Sequence, residues 1–213
     1  SIPVGSNDFE IVDYPSATGS YCLTLTDNCE TPAVTECQEV VIETPIPAAF
    51  TSDTTRACIP GIFQFESLVD PDLISQTEWF FGDGQLSYLA DPVHEYPAPG
   101  GYDVTFNIIS LIGCEYTNFQ PGYLQVYARP YVGYTASPQP TRAPDTQIEF
   151  ESVNSANVVD WYWMFDGIEN LGTSDVSDPT FVFPIDVGGT YPVTLVVTDE
   201  NGCSSQVTRI IDI

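Results

Sequence analysis

Apolar residues in this chain recur at every second position. Tyr102, Val104, Phe106 and Ile108 form one such run, Tyr191, Val193, Leu195 and Val197 a second, and Tyr21, Leu23 and Leu25 a third. The residues between them are mostly Thr, Asp and Asn. A period of two puts alternate side chains on opposite faces of an extended backbone, so each run predicts a half-buried β-strand. Each strand has the same glycine-led start, Gly19-Ser20-Tyr21, Gly101-Tyr102 and Gly189-Thr190-Tyr191. Three copies of one strand predict three modules. No stretch carries a 3.6-residue apolar period with caps, and 18 prolines and 15 glycines interrupt the chain too often for long helices. The pattern is that of an all-β protein.

Other landmarks recur in the same order. Phe65-Glu66-Ser67 reappears 85 positions later as Phe150-Glu151-Ser152. Trp79-Phe80-Phe81-Gly82-Asp83-Gly84 corresponds to Trp163-Met164-Phe165-Asp166-Gly167, with one glycine lost. Asp91-Pro92-Val93-His94-Glu95-Tyr96 corresponds to Asp178-Pro179-Thr180-Phe181-Val182-Phe183. Two full modules are expected at 45–128 and 129–213, each the size of a small β-sandwich. Residues 1–44 hold only the last strands of a third, which reads as a piece of a longer string of modules. Proline-marked joints, Thr44-Pro45-Ile46-Pro47 and Ala128-Arg129-Pro130, predict short, semi-rigid connections.

Composition narrows the function. Thirty acidic residues face four basic ones, Arg56, Arg129, Arg142 and Arg209, for a formal charge of -26. Nucleic-acid binding is excluded, because phosphate affinity comes from clustered Lys and Arg. Insertion into a membrane is equally disfavoured: an anionic surface repels this charge and no apolar run reaches the roughly 18 residues that span a bilayer. With 43% hydrophobic and 13% aromatic residues, the chain has ample material for a core and is not disordered. Six cysteines without C-x-x-C spacing argue for disulfides in an oxidising, extracellular setting rather than for zinc.

The motif Trp79-Phe80-Phe81-Gly82-Asp83-Gly84, followed by Pro92-Val93-His94-Glu95-Tyr96 and Gly101-Tyr102-Asp103-Val104, resembles the signature of the PKD (polycystic kidney disease) domain family. The second module carries the weaker set Trp163, Phe165, Asp166, Gly167 and Tyr191, with Phe181 and Phe183 in place of His94 and Tyr96. The resemblance implies tandem immunoglobulin-like sandwiches of two sheets. Ala57-Cys58-Ile59-Pro60 and Gly113-Cys114 are similar to a cysteine pair in long surface proteins of gliding bacteria, exported by the type IX pathway. That kinship implies a Cys58–Cys114 disulfide within the first full module. Ala143 stands at the Cys58 position of the second module, so Cys203 lacks its equivalent partner, and Cys29 looks to a missing half module. Cys22 and Cys37 are left as a cross-strand pair.

Chemical alternatives are weaker. His94 is the sole histidine, and a position that elsewhere accepts Phe181 suits packing better than catalysis. Asp83 and Asp166 precede or flank turn glycines, where a carboxylate closes its own turn. Asp70, Asp72, Asp175 and Asp178 could supply oxygen ligands to calcium, although no EF-hand-type loop is present; the competing reading is a solvated acidic surface. Trp161 and Trp163 face one side of a strand and could form a sugar-stacking platform, but Trp163 aligns with Trp79 at a core position. No cofactor and no enzymatic activity are expected. The expected role is a stalk or adhesive repeat of a long cell-surface protein. Its partners are expected to be neighbouring modules, surface polysaccharide or other surface proteins. The alternative is an accessory binding module of a secreted hydrolase.

Overall fold

The computed structural model of the chain describes residues 17–25, 34–139, 145–166, 170–184 and 189–213. The chain divides into two compact units, 1–46 and 47–213. In the first unit, β1 (Gly19–Leu25) pairs antiparallel with β2 (Val34–Val40), with Cys22 opposite Cys37. These two cysteines form a disulfide with Cα atoms 3.9 Å apart. The half-buried face expected of β1 is not observed: Tyr21 and Leu23 are 37% and 47% exposed. A two-stranded ribbon gives them no opposing sheet among the described residues.

The second unit holds two pairs of sheets. In the first pair, β3 (Phe50–Ser52), β5 (Gly61–Ser67) and β8 (Val93–Tyr96) form one layer in the order β3-β5-β8. The facing layer runs β4-β10-β9-β6-β7. It comprises β4 (Arg56–Cys58), β6 (Ile74–Phe80), β7 (Leu86–Ser87), β9 (Gly100–Ser110) and β10 (Glu115–Tyr127). β4 runs parallel to the end of β10, placing Cys58 opposite Tyr127. The second pair repeats the plan: β11 (Val132–Ser137), β12 (Gln147–Asn154) and β15 (Thr180–Val182) lie against β13 (Val158–Asp166), β14 (Asn170–Ser174), β16 (Thr190–Asp199) and β17 (Ser204–Asp212). Its layers are ordered β11-β12-β15 and β14-β13-β16-β17, matching β3-β5-β8 and β7-β6-β9-β10 strand for strand.

The period-two residues fill the two cores. Val104, Phe106 and Ile108 of β9 are fully buried, as are Val193, Leu195 and Val197 of β16. Trp79 and Trp163 occupy the same place in each. Both indoles are fully buried, lie 5.4 Å from Phe65 and Phe150 respectively, and donate Nε1–H to a carbonyl, of Leu89 and Val176, at 2.9 Å. Satisfying that one polar atom lets a large aromatic sit in the centre of a sandwich. The repeated Tyr has its own explanation. Tyr102 and Tyr21 each donate to a carbonyl four residues upstream, Ala98 at 2.8 Å and Ala17 at 2.6 Å. This is the tyrosine corner of immunoglobulin-like sandwiches.

Candidate functional site

The Gly82-Asp83-Gly84 turn and the strand bearing His94 form one cluster in the first sandwich. Asp83 Oδ1 accepts from the Gln85 N–H at 2.9 Å, and Oδ2 lies 2.8 Å from His94 Nε2. The imidazole is 8% exposed and stacks on Phe81 at 4.0 Å, with planes 6° apart. Tyr96 packs edge-on to it and donates to the Phe81 carbonyl at 2.9 Å. Gly82 has φ +77°, and a Cβ there would stand 2.5 Å from the Asp103 carbonyl oxygen, so only glycine fits. Gly84, at φ +90°, faces open space. In the second sandwich Phe181 takes the His94 place and stacks on Phe165 at 4.0 Å, with planes 9° apart. Gly167 lies outside the described residues. A histidine interchangeable with phenylalanine in this stack is a packing residue with one acidic partner.

Burial alone would raise the Asp83 carboxyl. The His94 hydrogen bond, the Gln85 N–H and the His94 charge outweigh it and hold the group below its usual value.

The four candidate calcium ligands do not converge. Asp70 caps a one-turn 3-10 helix, Pro71–Leu73, by accepting from the Asp72 N–H at 3.0 Å. Asp178 accepts from the Ser152 N–H at 2.8 Å, and Asp91 accepts in the same way from Ser67 at 2.8 Å in the first sandwich. The repeated Asp-Pro step is therefore a strand-to-loop tie. The Ser152 N–H, with the Ser177 hydroxyl, holds the Asp178 carboxyl below its usual value. Among the described residues no three acidic, histidine or cysteine side chains gather as a metal site. Trp161 is no open platform either: it packs against the second core and donates to Asn154 Oδ1 at 3.2 Å.

The cysteines overturn the expected pairing. Cys58 is bonded to Cys203, with Cα atoms 5.6 Å apart, and Cys114 is free and exposed. Geometry explains the difference. Cys58 sits beside Tyr127 at the end of β10, whereas Cys114 immediately precedes Glu115 at its start. Thirteen residues of strand separate the two ends, roughly 40 Å at about 3.3 Å per residue. A disulfide needs Cα atoms within about 7 Å. Cys58 and Cys114 thus occupy opposite poles of one sandwich, and Cys58 reaches the next sandwich instead.

The seam so formed is the most distinctive feature of the unit. Arg129, in the joint, donates from Nε to the Ile59 carbonyl at 2.7 Å and from Nη1 to the Ser204 carbonyl at 2.8 Å, bridging both sandwiches beside the disulfide. Arg56, Ala57, Cys58 and Tyr127 line a cleft of about 250 Å³ with Glu200 and Asn201. The hairpin carrying Cys203 is held by Asp199, which is 2% exposed. Its Oδ1 accepts from the Asn201 and Cys203 N–H groups at 2.9 and 2.8 Å, and its Oδ2 accepts from Asn157 Nδ2 at 3.2 Å. Sequence reasoning missed both Asp199 and Arg129. The signals available were the Asp199-Glu200-Asn201-Gly202 turn and an arginine at a joint in a chain with only four.

Residues 42–120 match the sequence profile of the PKD domain. No curated protein matches the chain. Among solved structures, the chain is similar to fibronectin(III)-like modules of CbhA from Clostridium thermocellum, at 16% identity and TM-score 0.40, covering 78% of this chain and 94% of that one. It is also similar to carbohydrate-binding modules of the β-sandwich superfamily, at 14% identity and TM-score 0.36, covering 79% and 96%. A third likeness, at 11% identity and TM-score 0.31, is to dimeric latent PorU from Porphyromonas gingivalis, covering 95% of this chain and 24% of that one.

Two outcomes are expected. Gly82→Ala should cost more than 2 kcal/mol in urea unfolding and Gly84→Ala only about 1 kcal/mol, since both strain the backbone but only the first strikes the Asp103 carbonyl. Equal losses would contradict the close approach. At pH 7, His94→Phe should stay within about 1 kcal/mol of the native chain while His94→Ala loses about 2 kcal/mol, because only the former keeps the stack. Asp83 titrates lower when folded than when unfolded, so its stabilisation is complete above its unfolded pKa and disappears as pH falls through the folded one, below about pH 4. His94→Phe should therefore show a shallower acid decline in urea midpoint than the native chain.

Proposed function

Because residues 42–120 are a PKD domain, we propose that this chain is a load-bearing segment of a long extracellular surface protein, a non-catalytic stalk whose sandwiches are tied pole to pole. The observation that carries this reading is the Cys58–Cys203 bond, which spans 145 positions and joins one sandwich to the next. Tension applied along the chain enters one sandwich and leaves through the other, and the bond bypasses nearly everything between. Arg129 limits bending at the same joint. Two disulfides suit an oxidising extracellular location. His94, the one residue suited to general acid–base chemistry near pH 7, is committed to its aromatic stack and to Asp83. An adhesive role at a bacterial cell surface, with neighbouring modules and surface polysaccharide as partners, follows from the likeness of the cysteine-bearing segments to gliding-bacteria surface proteins.

Stretching single chains between handles at the two termini tests the proposal. With the bond intact, the residues between Cys58 and Cys203 stay out of the load path. Cys203→Ser should add about 500 Å to the unfolded length, from 145 positions at about 3.5 Å each, and full reduction about 50 Å more by also opening Cys22–Cys37. Equal lengths for the oxidised native chain and Cys203→Ser would contradict a load-bearing tie.

A further inference from the structure

The hairpin that ends in Cys114 is built like the one that ends in Cys203. Ser110 N–H donates to the Cys114 carbonyl at 2.8 Å, and Asp199 N–H to the Cys203 carbonyl at 2.9 Å. Gly113 N–H returns to Ser110 at 3.0 Å, and Gly202 N–H to Asp199 at 2.9 Å. Both glycines have positive φ, 90° and 80°. The cysteine N–H is held from below in each, by Ser110 Oγ at 3.1 Å and by Asp199 Oδ1 at 2.8 Å. Ser110 and Asp199 are 1% and 2% exposed. The two thiols differ in their state: Cys203 is fully buried and bonded to Cys58 of the preceding sandwich, whereas Cys114 is exposed and free.

From this equivalence we infer that the Cys114 hairpin is a docking and cross-linking site for the β4-type edge, Ala-Cys-x-Pro, of a neighbouring module placed ahead of the first sandwich. Cys58 shows the chemistry such a partner brings: a thiol on a short edge strand at the far pole of a sandwich, followed by the Ile59 carbonyl that an arginine of the joint grips. Pole geometry sets the direction. The first sandwich offers its hairpin cysteine backward and its edge-strand cysteine forward, so the contact is heterologous and runs on through every module that carries both; Ala143, at the sequence position equivalent to Cys58, ends the run at the second sandwich. Bond formation joins the two sulfurs, releases two protons and passes two electrons to a disulfide oxidant such as oxidised glutathione, which leaves as two thiols. The site stands whether or not the segment bears load.

Duplication tests it in the full chain. Residues 45–129 are inserted a second time after Arg129, so that Arg129-Pro45 forms the new joint, and the upstream copy carries Cys114→Ser. After equilibration with oxidised and reduced glutathione, the upstream Cys58 should bond to the downstream Cys114. Alkylation followed by mass spectrometry should then find both sulfurs blocked by each other, in a chain that stays monomeric on non-reducing electrophoresis. Alkylated or glutathionylated Cys58 and Cys114 would overturn the inference, and so would a bond to Cys29 or chain-to-chain multimers. The Cys58–Cys203 bond of the downstream copy is read in the same digest. Its loss would also count against the inference, because a seam that fails beside a second seam cannot propagate.

Discussion

A strand of thirteen residues separates the two poles of the first sandwich, and the covalent architecture follows from that length. Cys58 lies at one end of β10 and Cys114 at the other. No side-chain motion closes such a gap while the β9–β10 ladder holds. A cysteine at a pole can therefore bond only to something docked on that pole. The second sandwich provides it, because the short joint brings the Asp199–Cys203 turn onto the β4 edge and Arg129 pins carbonyls on both sides. The bond that would have strengthened one module instead unites two.

The acidic composition gives this tie a physical purpose. A chain with 30 carboxylates and four arginines repels itself and its neighbours, which favours solubility but opposes close docking of one sandwich on the next. Two of those arginines, Arg56 and Arg129, lie at the seam. A disulfide closing a loop of this size contributes about 5 kcal/mol through the unfolded chain and is indifferent to charge and salt. Several carboxylates that look like cation ligands are spent on backbone N–H groups. Asp91 and Asp178 tie strands to loops, Asp199 shapes the hairpin and Asp83 closes its turn. The acidic residues are thus partly an outer coat and partly the polar framework of the turns.

The sandwich interiors were legible from the pattern of residues because local rules generate them. A period of two marks the buried faces of β9 and β16, and the paired Trp79 and Trp163 mark the two centres. The interchange of His94 and Phe181 pointed to packing, and the structure gives that packing as a stack on Phe81 and Phe165. Asp178, one of four acids that could have served calcium, makes the strand-to-loop tie that its counterpart Asp91 makes from the same Asp-Pro step. The burial of β1 failed because period two states which face is apolar and not whether anything covers it. Cysteine connectivity was the least legible feature. Six cysteines allow fifteen pairings, and the kinship that implied Cys58–Cys114 placed both partners in one module. Pole position, which decides the matter, emerges only from strand lengths and the docking of one sandwich on another.

Mass-spectrometric mapping of the disulfides in the non-reduced, thiol-blocked chain tests this architecture most directly. Peptides containing Cys58 and Cys203 should be found linked, with Cys114 alkylated. A linked pair of Cys58 and Cys114 would contradict the pole-to-pole account and return the bond to the interior of a single module.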